Sequence, residues 1–172
     1  ILLFTGGADE LDAYAALLEG SDLDGMVLTD THHDDPRPAW LADRGVPFSV
    51  FGRPWGTDWE SGPTHAWVDV DSAIGVGAAV RHLVSRGHER IGFIGWPRGS
   101  GIGDDRRNGW ATALDETVPG GSARARSRGW NVEVLDGVEL GRRAATGLLA
   151  LTEAPTAAVC VSDSLVLGAF RT

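Results

Sequence analysis

Short apolar runs alternate with amphipathic stretches along almost the whole chain, and this alternation constrains the fold more than any other feature. Strand-like runs fall at 1–5 (ILLFT), 25–29 (GMVLT), 47–51 (PFSVF), 66–70 (AWVDV), 90–95 (RIGFIG), 130–135 (WNVEVL) and 157–161 (AAVCV). Helical spacing of apolar residues fills the intervals at about 9–19, 37–44, 72–86, 105–116, 139–152 and 163–171. Two strands with a helix between them pair in parallel through a right-handed crossover, and the helices then cover the sheet faces. The expected fold class is α/β, a layered sandwich of parallel strands and helices.

The segment 72–86 shows the logic most plainly. Asp71 or Ser72 can accept the first free amide hydrogens, and Ile74, Val76, Val80, Leu83 and Val84 recur on one helical face. Gly87 stands where a left-handed cap is needed, because a Cβ there costs energy at positive φ. His88 then opens the turn into the next strand as a capping or hydrogen-bonded histidine. A second run of βα units begins here, so a boundary between two lobes is expected near Gly87–Arg90, dividing the chain into 1–88 and 89–172. The polar stretch 117–130 (TVPGGSARARSRGW), with Arg at alternate positions, is read as a solvated connection.

Charge and composition remove several function classes. The chain carries a net charge of −9, which repels a phosphate backbone, so any DNA contact must come from residues outside it. All 15 basic residues are Arg, which excludes Schiff-base chemistry and a P-loop lysine. No apolar run approaches the roughly 18 residues that span a bilayer, and the ILLF start lacks the charged leader of a signal peptide. Cys160 sits in an apolar run, as a buried unreactive thiol does. A cytoplasmic protein without membrane partners is expected.

In open α/β sheets, sites form beyond the carboxyl ends of the strands. The residues there are Thr29-Asp30-Thr31, Gly52-Arg53, Trp96-Pro97-Arg98, Asp136-Gly137 and Ser162-Asp163. Hydroxyls, carboxylates, guanidinium groups and an indole suit a polar small molecule: bidentate hydrogen bonds hold its edges and a ring face covers its apolar side. The same set is poor in catalytic pairs. No Ser-His-Asp order stands out, the glycine loop 97–103 lacks dinucleotide spacing, and the five His do not fall at metal-ligand intervals. Neither a cofactor, a metal nor an enzymatic activity is expected. His32-His33-Asp34-Asp35 reads as a solvated turn before Pro36, with His32 able to reach a ligand. Trp55 and Trp59, in a Gly/Pro-rich loop, call for a cover: a ligand, a partner subunit or the other lobe.

Three stretches in order, VDSAIGVGAAVRHLVSRGHERIGFIGWP, DRRNGW and PTAAVCVSDSLVLGAF, closely resemble the effector domain of lactose-repressor-type (LacI/GalR) transcriptional regulators. The earlier DGMVLTDT and GVPFSVFGRP resemble that family's third and fourth strands. The resemblance implies a periplasmic-binding-protein-like type I fold, two Rossmann-like lobes hinged around a sugar-like effector and each present only in part, and a homodimer. It also implies a helix-turn-helix outside this chain that reads operator DNA. Carried over by position, Arg106 matches the family's effector-binding arginine, Ser162 and Asp163 the strand-end polar pair, and Thr29 a first-lobe position facing the ligand. Trp96 replaces the residue common before that Pro. Arg107, adjacent to Arg106 but about 100° away around a helix, is its rival. The competing function is the solute receptor of a sugar transporter with the same fold.

Overall fold

The computed structural model describes residues 10–55 and 65–172. The expected strand at 1–5 and Trp59 lie outside them. Two units divide the chain, Ile1–Val70 and Asp71–Thr172. The first runs α1 (Glu10–Gly20), β1 (Met26–Leu28), α2 (Arg37–Asp43), β2 (Phe48–Phe51) and β3 (Ala66–Val68). Its strands pair in parallel in the order β1-β2-β3, with Leu28 beside Val50 and Val50 beside Trp67. Leu28 and Val50 point to the face where Tyr14 and Leu41 bury, while Val27, Phe51 and Val68 on the opposite face stay exposed.

The second unit contains α3 (Ser72–Ser85), β4 (Ile91–Gly95), α4 (Ile102–Thr117), α5 (Gly121–Ser127), β5 (Asn131–Glu133), α6 (Val138–Leu149), β6 (Ala157–Cys160) and α7 (Asp163–Ala169). Its parallel sheet has the order β5-β4-β6, and all five residues of the central β4 are buried. Phe93 and Trp110 stack at 5.5 Å in a core that also takes Val80, Leu114, Trp130, Leu148 and Leu165. Among the described residues no helix is long and apolar enough to cross a membrane.

The division falls ahead of α3 and not at 87–90. The reason is packing: Val80 of α3 buries in the core of the second unit, and α3 crosses α4 so closely that Gly77 and Gly109 face each other. The caps form as their residues predict. Asp71 accepts from the Ile74 amide at 2.8 Å, and Gly87 follows the helix at φ 91. His88 Nδ1 lies 3.0 Å from the Thr156 hydroxyl, which ties this turn to the start of β6. Ile74, expected on the buried face, is 68% exposed, since the inward face runs through Ser72, Gly77 and Val80.

The stretch read as a solvated connection contains a helix, α5. The Asp115 carboxylate accepts from both the amide and the hydroxyl of Ser122, at 2.7 and 2.9 Å, and so fixes the first turn. Ala125 then packs into the core, Arg124 lies half-buried with its guanidinium carbon 5.7 Å from the Trp130 ring centre, and Arg126 is exposed. One buried alanine among three arginines leaves almost no hydrophobic periodicity to read.

Candidate functional site

Because the three strands of the second unit run in parallel with β4 in the middle, the residues after β4, β5 and β6 emerge side by side at one end of the sheet. Trp96 leaves β4 directly, and its indole Nε1–H donates to Asp136 Oδ1 at 3.2 Å. The Ser162 hydroxyl donates to the same carboxylate oxygen while it caps α7 by accepting from the Leu165 amide at 3.3 Å. The Ser164 side chain and the Gly137 backbone also favour the charged form of Asp136. Partial burial pushes the Asp136 pKa up, but these donors together outweigh it and hold the carboxyl below its usual range. Asp136 is therefore an ionised, oriented acceptor at neutral pH.

Arg106, in α4, reaches across to this group. It donates to the Val161 carbonyl at 2.7 Å, and its guanidinium carbon lies 5.8 Å from the centre of the Trp96 ring. Its rival Arg107 turns inward and is only 3% exposed, bound to Asp104 and to the Trp96 carbonyl. The pair thus divides: Arg106 borders the strand-end group and Arg107 lies beneath it. Asp163, grouped with Ser162 from the sequence, sits exposed in the first turn of α7, where its charge complements the helix N-terminus. It stands outside the Trp96–Asp136–Ser162 network. Ser164, whose side chain favours the charged form of Asp136, was not singled out from the sequence, although its place two residues after Ser162 was a usable signal.

The first unit organises its strand end differently. Thr29 and Asp30 expose their side chains after β1 and give their carbonyls to Arg37 Nη2, both at 3.1 Å. Asp30 takes φ 55, a conformation held in part by this double contact. Arg37, 6% exposed, also binds Asp35 at 2.6 Å, Glu10 at 3.4 Å and the Tyr14 hydroxyl at 3.5 Å. Its hydrogen bond to Asp35 raises its pKa. Burial pushes the Asp35 carboxyl up, but the bonds from Arg37 prevail and hold it below the usual range. Asp35 is accordingly no solvated turn residue, whereas His32, His33 and Asp34 are exposed. After β2, the Arg53 guanidinium lies 4.4 Å from the Trp55 ring centre, and His33 meets the same ring at 5.6 Å. Arg37 gives no sign of this role in the sequence, since an arginine after Pro36 reads as solvated.

The comparisons with known proteins agree with this architecture. The family described as periplasmic binding proteins and sugar binding domain of the LacI family has a model that matches residues 1–172. The chain belongs to this family. Among LacI-type structures, a regulatory protein of the LacI family from Chloroflexus aggregans superposes with a TM-score of 0.79 at 32% identity, covering 98% of this chain and 57% of that one. A complex of the transcriptional regulator CelR with cellobiose superposes with a TM-score of 0.77 at 28% identity, covering 96% of this chain and 48% of that one. The HTH-type transcriptional regulator CelR of Thermobifida fusca is 35% identical over 105 residues, which is 61% of this chain and 30% of that protein. The chain therefore spans about a third to just over half of these LacI-type relatives. The fold expected from the sequence, periplasmic-binding-protein-like α/β with parallel sheets flanked by helices and present in part, is the fold observed.

Proposed function

We propose that this chain is part of the effector-sensing domain of a LacI-type transcriptional regulator, and that the effector is a sugar. One observation carries the reading: at the ends of β4, β5 and β6, an indole, an oriented carboxylate, a serine hydroxyl and a guanidinium converge within one unit. Sugars present hydroxyls around their edge and a C–H face on top, so planar charged groups for the edge and an aromatic face for the C–H groups form a matching set. The cellobiose bound by the similar CelR structure supports the ligand class.

In this reading Asp136 and Arg106 take sugar hydroxyls as acceptor and donor, Trp96 stacks, and Ser162 holds Asp136 in place. Thr29, Asp30 and Asp163 are further candidates for effector contact. The units 1–70 and 71–172 are the two lobes of the sensor, each present in part. The effector favours one arrangement of the lobes in a homodimeric, cytoplasmic, non-catalytic protein, and that shift reaches operator DNA through a separate DNA-binding domain. Such a domain must supply the positive charge, since this chain carries −9.

The test is a thermal-shift titration of the full-length protein with cellobiose and a panel of other sugars, nucleobases and amino acids. A sugar is expected to raise the melting temperature. Arg106→Ala and Asp136→Asn are each expected to weaken its binding by about 2 kcal/mol, roughly thirtyfold, as the loss of a charge-assisted hydrogen bond does. A hit that survives both substitutions moves the site away from these strand ends.

A further inference from the structure

We infer that Arg107 and Asp104 form a positioning clamp for this strand-end site, setting the orientation of Trp96 and through it that of Asp136. The inference rests on the sugar-site reading of these residues. The geometry is that of a fork gripping both ends of one loop. Arg107 Nη2 donates to the Trp96 carbonyl, where the chain leaves β4. Arg107 Nη1 donates to Asp104 Oδ1 at 2.7 Å. The other oxygen of Asp104 accepts from the Gly99 amide at 2.7 Å. The glycine loop that follows Trp96 is thus tied at Trp96 and at Gly99 by a single pair of charges.

Burial makes the clamp rigid. The Arg107 side chain is only 4% exposed, with its guanidinium carbon 5.8 Å from the Phe93 ring centre and Glu133 Oε1 at 3.4 Å. Its Nε is buried without a hydrogen-bond partner, so the fork end carries all of its hydrogen bonding. The indole has little freedom from below either: a Cβ at Gly103 would come within 3.1 Å of the Trp96 ring and collide with the Ser100 hydroxyl. Proline at 97 and glycines at 99, 101 and 103 otherwise make this loop one of the least self-determined in the unit. Its conformation is therefore imposed from outside, by the Arg107–Asp104 pair. A site held to the precision that sugar recognition requires needs such support behind the residues that touch the ligand.

The experiment compares the full-length wild type with Arg107→Met and Asp104→Asn, each also prepared with Trp96→Phe. Subtracting the Trp96→Phe fluorescence isolates the Trp96 signal, and Trp110 and Trp130, buried in the same unit, serve as internal controls. The clamp predicts that acrylamide quenching of the Trp96 component rises about twofold in both variants while the quenching of the remaining tryptophans is unchanged. It also predicts cellobiose binding weakened by about tenfold. A general loss of packing would expose Trp110 and Trp130 together with Trp96, and that result overturns the inference. An unchanged Trp96 component in both variants overturns it as well. If the wild type ignores cellobiose and the other sugars, the sugar reading fails while the Trp96 signal still decides the clamp. If Arg107→Met does not fold, Asp104→Asn, which keeps the arginine and removes a partly exposed charge, decides it alone.

Discussion

A guanidinium can do more for a strand end than any side chain the strand itself carries. Arg37 binds two successive main-chain carbonyls after β1, and Arg107 binds one after β4. Each is neutralised by a nearby carboxylate, without which its burial would cost several kcal/mol. Replacing Arg37 by Met leaves Asp35, whose side chain is 5% exposed, as a buried charge without its counterion, held only by the amide of residue 37. The expected loss is about 3–5 kcal/mol, read from urea unfolding. The pH dependence has a definite sign. Because the folded Asp35 carboxyl lies below its usual range, its contribution is fully present above about pH 4 and is lost as pH falls through the depressed value. In Arg37→Met the amide of residue 37 still donates to Asp35, but the guanidinium bonds that outweigh the desolvation are gone, so the acid unfolding midpoint moves to higher pH. Trp96, Asp136 and Ser162 were legible in the sequence because the strand-end rule needs only strand boundaries. Arg37 and Arg107 were not, because their burial is decided by groups distant in sequence, Tyr14 and Glu133 among them.

Helix packing in the second unit depends on glycines where two backbones nearly touch. A Cβ on Gly109 would collide with the Ala73 carbonyl of α3, and one on Gly168 would lie 2.6 Å from the Arg142 amide of α6. Gly147, exposed in the interior of α6, has nothing within 4 Å of its missing Cβ. Thermal melts are therefore expected to separate the three alanine substitutions. Gly109→Ala and Gly168→Ala destabilise by about 1–3 kcal/mol through overpacking, whereas Gly147→Ala stabilises by about 0.5–1 kcal/mol through helix propensity. The alternation of strands and helices was readable almost throughout, since β4 is a continuous apolar run, α6 has helical periodicity and α3 has both periodicity and an Asp71 cap. α5 was not, because its stability comes from Asp115 and one buried alanine and not from its own pattern. The packing of α3 was hidden for a related reason: in sequence it looks like the last helix of one lobe, and only its crossing with α4 places it in the second compact unit.

The two units differ in how much apolar surface they bury. Among the described residues the first buries Tyr14, Leu28, Leu41 and Val50, while the second encloses two tryptophans, a phenylalanine and several aliphatic side chains around β4. Native-state hydrogen exchange is expected to follow this division. The β4 amides, wholly buried and paired on both sides, should exchange most slowly, and those of β3, whose residues are all exposed, far faster. Equal protection of the two sheets would mean that the first unit draws its stability from beyond these core residues. One detail of the second sheet offers a handle on its motions. Cys160, the chain's single cysteine, lies on the sheet-edge strand β6, and burial pushes its thiol up to about 11. At neutral pH the sulfur stays protonated and slow towards disulfide reagents, so the rate at which such a reagent labels the chain is a clock for the opening of that edge.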